Sequence, residues 1–128
     1  MFTIRKGDLI MFKTNPENYV EYRFKFTHLE FDKADLFIDL LYIPLDKIKL
    51  CSHRTTCVIT VIDLPTNKVL AERTAHVYCS KKDIYTRKTG RKLAMAKAFE
   101  TIKELDNNMI SKETRKLIWD EYFKWCRQ

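Results

Sequence analysis

Residues 79–92, Cys-Ser-Lys-Lys-Asp-Ile-Tyr-Thr-Arg-Lys-Thr-Gly-Arg-Lys, hold the groups best suited to gripping a phosphate. Lys81, Lys82, Arg87, Lys88, Arg91, Lys92 and Lys97 accompany a single carboxylate, Asp83, within residues 81–97. That stretch carries six of the net seven positive charges, and the rest of the chain is close to neutral. A surplus kept only for solubility would be spread out, whereas one gathered in a single segment attracts phosphates or polyanions. Helical spacing follows directly, so the cations stand at or just before a helix N-terminus. Ser80 (with Asp83 in capping-box spacing), Thr86 and Thr89 are three alternative caps. That end of a helix is partly positive, and each cation there costs about 0.3–1 kcal/mol. If the helix runs through, Arg87–Arg91 and Lys88–Lys92 are like-charge pairs four residues apart, each unfavourable by roughly 0.2–0.5 kcal/mol. An anion seated there would relieve both penalties, because backbone N–H groups and cations converge on it.

Counting back along the apolar face from Met95, Ala98 and Ile102 reaches Arg91, then Lys88 or Arg87, then Ile84. Some cations therefore turn toward a sheet, and an inward guanidinium needs a partner. An anion is one answer; a carboxylate such as Asp63 or Glu72 is another, as is a helix that begins later and leaves the cations in a solvated loop. Arg91 leads the candidate ligand-binding residues, followed by Arg87, Lys88, Lys92, Lys81 and Lys82. Tyr85 either stacks on a base or anchors the core. Arg73, alternating with the small Ala71 and Ala75, and Arg54 are within reach of the same pocket on this reading.

Other chemistry is sparse. The three histidines are His28 and His76, in strand-like runs, and His53, near an expected loop. No G-x-S-x-G, phosphate-binding P-loop or H-E-x-x-H motif occurs, and no carboxylates cluster for a metal, so the chain reads as a binder rather than an enzyme. Phosphodiester cleavage by Tyr85 or His53 is the catalytic alternative. Four cysteines, at 51, 57, 79 and 126, form no C-x-x-C pair and read as free thiols. Cys51-x-His53 and His76-x-x-Cys79 could be assembled into a metal site, but with irregular spacing, and no cofactor is expected.

The elements that must position these groups form one α+β domain over 1–128, an antiparallel sheet with two C-terminal helices packed on or beside it. A chain of 128 residues that is 45% hydrophobic and 32% charged has the balance of a folded protein. Phe2–Ile4 and Leu9–Lys13 around Lys6-Gly7-Asp8 suggest a hairpin, and Asn15-Pro16-Glu17-Asn18 a turn. Val20, Tyr22, Phe24 and Phe26 alternate with charged residues, a half-buried strand. Residues 33–42 fit a short helix or a strand. Cys57–Ile62 and Lys68–Tyr78 flank the turn 64–67 as a second hairpin. A helix then carries Leu93, Met95, Ala98, Phe99, Ile102 and Leu105, and Asn107 and Asn108 end it. Ser111 with Glu113 opens a last helix, 112–126. There Trp119, Tyr122, Phe123 and Trp125, with Ile118 and Cys126, span about 160° against a ~100° core stripe. That helix is either sunk in its own domain or an interface, and a homo-oligomer is one expectation. No apolar run matches a signal peptide or a membrane span; the run Leu36–Leu45 is broken by Asp39 and Pro44, so a cytoplasmic protein without membrane contact is expected.

Two resemblances follow from these residues. Ser80-Lys81-Lys82 with Ala94, Ala96 and Ala98 resembles the C-terminal half of a double-stranded-RNA-binding domain, in which such lysines open the last helix and clamp phosphates. Here Asp83 to Gly90 intervenes. Asp83, Tyr85, Arg87, Lys88, Gly90, Arg91 and Ala94 are similar to a D-x-[FY]-x-R/K-K-x-G-R-x-x-A signature of small bacteriophage accessory proteins. That likeness implies action in the host cytoplasm against host defence. The protein would sequester a nucleotide signal, bind nucleic acid through the basic loop and helix, or dock on a defence nuclease.

Overall fold

The computed structural model describes residues 9–17, 19–30, 50–105 and 110–127. Four strands, β1 (Leu9–Thr14), β2 (Val20–Glu30), β3 (Cys51–Asp63) and β4 (Lys68–Ser80), precede two helices, α1 (Arg87–Leu105) and α2 (Lys112–Cys126). The strands pair antiparallel in the order β1-β2-β3-β4, each beside its sequence neighbour. The fold is α+β, as the sequence pattern implies. The hairpin start at Phe2–Asp8, the segment 33–42, the run Leu36–Leu45 and the stop at Asn107–Asn108 lie outside the described residues.

Side-chain alternation decides which face of the sheet is covered. Tyr22, Phe24, Phe26 and His28 of β2 stand opposite Val61, Ile59, Cys57 and Thr55 of β3, and all eight are buried. On β4 the matching positions are Ala71, Arg73, Ala75 and Val77. The small Ala71 and Ala75 let a helix approach closely, and α1 lies over β3 and β4 with Ala94, Met95, Ala98, Phe99 and Ile102 turned inward. Leu93, expected on that face, is half exposed, because the inward stripe runs through Gly90 and Ala94 instead.

The α2 helix closes the other half of this face. Ser111 caps it, its hydroxyl accepting from the Thr114 N–H at 3.1 Å. Glu17, in the β1–β2 turn, accepts from the Thr114 and Tyr22 hydroxyls and pins the start of α2 to the sheet. Phe12, Phe24, Phe26, Tyr122 and Trp125 meet at centroid separations of 5.4–6.5 Å, edge-on and offset. Burial pushes the Tyr122 hydroxyl up to about 12 against the pull of the nearby Arg91 charge, and pushes the Cys57 thiol to about 12. The wide aromatic arc is therefore largely core: Tyr122 is buried, and Trp119 and Trp125 pack against the core. Of the four expected interface residues Phe123 is the most open, 37% exposed, beside Leu117 at 47%.

Candidate functional site

Between β4 and α1, residues 81–86 fold over the end of the sheet. Ser80 closes β4 and then makes a turn: its hydroxyl accepts from Lys82 N–H at 3.2 Å and its carbonyl from Asp83 N–H at 3.1 Å. Of the three possible caps, Thr86 is the one used, its hydroxyl accepting from Thr89 N–H at 3.2 Å and its carbonyl from Gly90 N–H at 3.0 Å. The Ser80-Lys81-Lys82 run ends a strand and opens no helix, which departs from the position the double-stranded-RNA-binding resemblance implies.

Tyr85 anchors this loop. Its hydroxyl reaches down to the buried pair His28–Thr55, bonding to His28 Nδ1 and lying 3.1 Å from Thr55 Oγ1. Thr55 Oγ1 is itself 3.2 Å from His28 Nδ1. One face of the Tyr85 ring stacks on His53, with centroids 3.9 Å apart and planes within 5°. His53 in turn meets the Ser52 hydroxyl at 2.7 Å. Burial raises the Tyr85 hydroxyl above its ordinary value, opposed by the Thr55 bond and by the charges of Arg87 and Arg91. Gly90 is the close-approach position: a Cβ there would fall 2.2 Å from Thr55 Oγ1.

Beside Tyr85 lies a cavity of about 230 Å³. Thr55, Val77 and Cys79 form its strand wall, Asp83, Ile84 and Tyr85 its loop wall, and Thr86, Thr89, Gly90 and Leu93 its helix wall. Its mouth is unusually apolar, since Ile84 is 94% exposed and Leu93 51%. Arg87 and Lys88 extend from the same first helical turn as Thr89 and Gly90, and that turn carries no acidic residue.

The candidate ligand residues divide accordingly. Arg87 and Lys88 are exposed rather than inward, because the inward position of their turn falls to Gly90. Arg91 is the one that turns in, toward α2: its Cζ lies 6.0 Å from the Trp125 ring centroid, and its buried Nε has no hydrogen-bond partner among the described residues. Lys92 lies over the Phe123 ring at 5.8 Å, and Lys81 and Lys82 are exposed on the loop. Arg73 does share the helix-covered face, but pairs with Ile59, four residues and roughly 13 Å along β4 from Val77. Its Nη1 donates to the Glu72 carbonyl at 2.7 Å. Arg54 belongs to the alternate series of β3 and faces the opposite side of the sheet, near His76, whose pKa is lowered by burial and then by Arg54 and Lys97. Neither arginine lines the cavity. The carboxylates proposed as internal partners are engaged elsewhere, Asp63 with Thr66 and Glu72 with the Thr60 hydroxyl at 3.2 Å. His76 meets Thr56 at 2.8 Å on the face away from His53, and no three potential metal ligands gather among the described residues.

Sequence reasoning missed His28, Thr55 and His53 as the partners of Tyr85. One signal was present: His28 continues the series Tyr22, Phe24, Phe26, which places an imidazole on the buried face. No helix among the described residues is long and apolar enough to cross a membrane. No protein-family model, no curated protein and no solved structure matches the chain.

Proposed function

We propose that the mouth of α1 binds the phosphate of a nucleotide without altering it chemically. The observation that carries this reading is the crowding of Arg87, Lys88, Arg91 and Lys92 onto the first two turns of a helix with no acidic residue in its first turn, beside a cavity. Cations gathered at the partly positive end of a helix, together with its first backbone N–H groups, favour an anion there. Binding without reaction fits the state of the nearby acid–base groups. His28 and Tyr85 are tied to each other and to Thr55, and burial raises the phenol further above its ordinary value, away from the phenolate a nucleophile would need. A protein of this kind acts by occupancy, withdrawing its ligand from other proteins, which is the sequestering role implied by the likeness to phage accessory proteins.

Calorimetric titration with pyrophosphate and nucleoside monophosphates tests the reading, with thermal unfolding as a second readout. A ligand held at 100 times its Kd stabilises by about 2.7 kcal/mol. Arg87→Ala with Lys88→Ala should weaken every phosphate-bearing ligand together. Absence of binding at millimolar ligand would overturn the proposal. The exposure of Lys81, Lys82, Arg87, Lys88 and Lys92 favours nucleic acid as a second reading. It predicts affinity for a short duplex or single strand that falls steeply with salt, where a mononucleotide responds only moderately.

A further inference from the structure

We infer that the cavity beside Tyr85 takes the base, leaving the phosphate outside on the cations, and that Asp83 selects bases carrying an exocyclic amino group. This rests on the phosphate-binding reading above and adds orientation and specificity to it. Size is the first argument. About 230 Å³ is below the roughly 300–1,000 Å³ of pockets that enclose a whole small molecule, so the cavity holds one ring system and not the entire nucleotide. Its walls supply the second. Val77, Leu93, Ile84 and the ring of Tyr85 are surfaces for an apolar plane, and the exposed parts of Ile84 and Leu93 are surfaces that a docked ring would remove from water.

Charge supplies the third argument. Asp83 is the only carboxylate on the cavity wall, so a phosphate placed inside would face its repulsion, whereas Arg87 and Lys88, on the same helical turn as Thr89 and Gly90, are exposed and stand outside the lining. A carboxylate accepts hydrogen bonds and donates none, and an amino group on a base edge is its complement.

The test is titration of the full chain with pyrophosphate, ribose 5-phosphate, AMP, GMP and UMP, using the wild type and the variants Asp83→Asn, Ile84→Ser and Leu93→Ser. Asp83 and Ile84 are exposed and Leu93 half exposed, and circular dichroism verifies that each variant is folded. AMP or GMP should bind about tenfold tighter than ribose 5-phosphate, the worth of one well-placed base. Ile84→Ser and Leu93→Ser should erase that margin while leaving pyrophosphate unchanged. Asp83→Asn should bring AMP and GMP toward UMP and leave pyrophosphate equal or tighter. If ribose 5-phosphate binds as tightly as every nucleotide, the base lies outside the cavity and this inference fails while phosphate binding stands. If pyrophosphate and all nucleotides fail to bind, the phosphate-binding reading itself is refuted, and this one with it.

Discussion

Replacing Gly90 by alanine should destabilise the protein, although the position is helical and glycine is ordinarily the worse residue there. In an open helix the change would gain up to about 1 kcal/mol. Here the new methyl would lie 2.2 Å from Thr55 Oγ1 and 3.2 Å from Thr55 Cβ. Thr55 is buried and its hydroxyl is bonded to His28 and Tyr85, so it cannot swing away freely. Overpacking of this kind costs about 1–3 kcal/mol, and each displaced hydrogen bond adds about 0.5–1.5 kcal/mol. The net expectation is a loss of about 1–3 kcal/mol, read as a lower urea midpoint at unchanged slope. The clash has one partner, which makes a double-mutant cycle decisive. In a Thr55→Ala background the obstructing oxygen is gone and only the Cβ contact at 3.2 Å remains, so Gly90→Ala should cost far less there, a coupling of about 2 kcal/mol. Stabilisation by Gly90→Ala alone, or an equal loss in both backgrounds, would refute the packing described between α1 and β3.

Tyr85→Phe removes the hydroxyl that His28 and Thr55 share and should cost about 1–2 kcal/mol in denaturant unfolding, and should loosen the loop 81–86 to proteolysis. Ser111→Ala deletes the cap of α2 and should cost about 1 kcal/mol, measured the same way. The pKa of Tyr122 is raised in the fold, so the native state holds its proton after the unfolded chain has released it. Its contribution is therefore complete below about pH 10 and is lost as pH rises toward about 12, and Tyr122→Phe should flatten that part of the stability profile. Sedimentation of Phe123→Ser beside the wild type reports whether the exposed edge of α2 joins copies; with Tyr122, Trp119 and Trp125 packed on the core, we expect a monomer for both.

β2 and α1 were legible from spacing, Tyr22, Phe24 and Phe26 at every second residue and Met95, Ala98 and Ile102 at helical intervals, whereas β3 was read only over Cys57–Ile62 and runs from Cys51 to Asp63, so His53 stands in a strand and not near a loop. The cap of α1 was not, since Ser80, Thr86 and Thr89 are chemically equivalent candidates and only the length of β4 decides among them. Inward phase was read one residue out for Arg87 and Lys88, because periodicity cannot tell that a glycine holds the inward place. Arg54 looked like a neighbour of Arg73 until the long register of β3 against β4 put the two on opposite faces. The Tyr85 cluster joins residues 28, 53, 55 and 85, and nothing local links positions that only cross-strand pairing brings together.

The ammonium of Lys97 donates to the His76 carbonyl at 2.7 Å, laying a charged side chain along β4, one of the two outer strands among those described. No strand among the described residues pairs with its far edge, and such an edge is a template on which another chain can grow. A cation fixed there makes joining it electrostatically and sterically awkward. Lys97 thus guards part of this edge against pairing with a second copy of the chain.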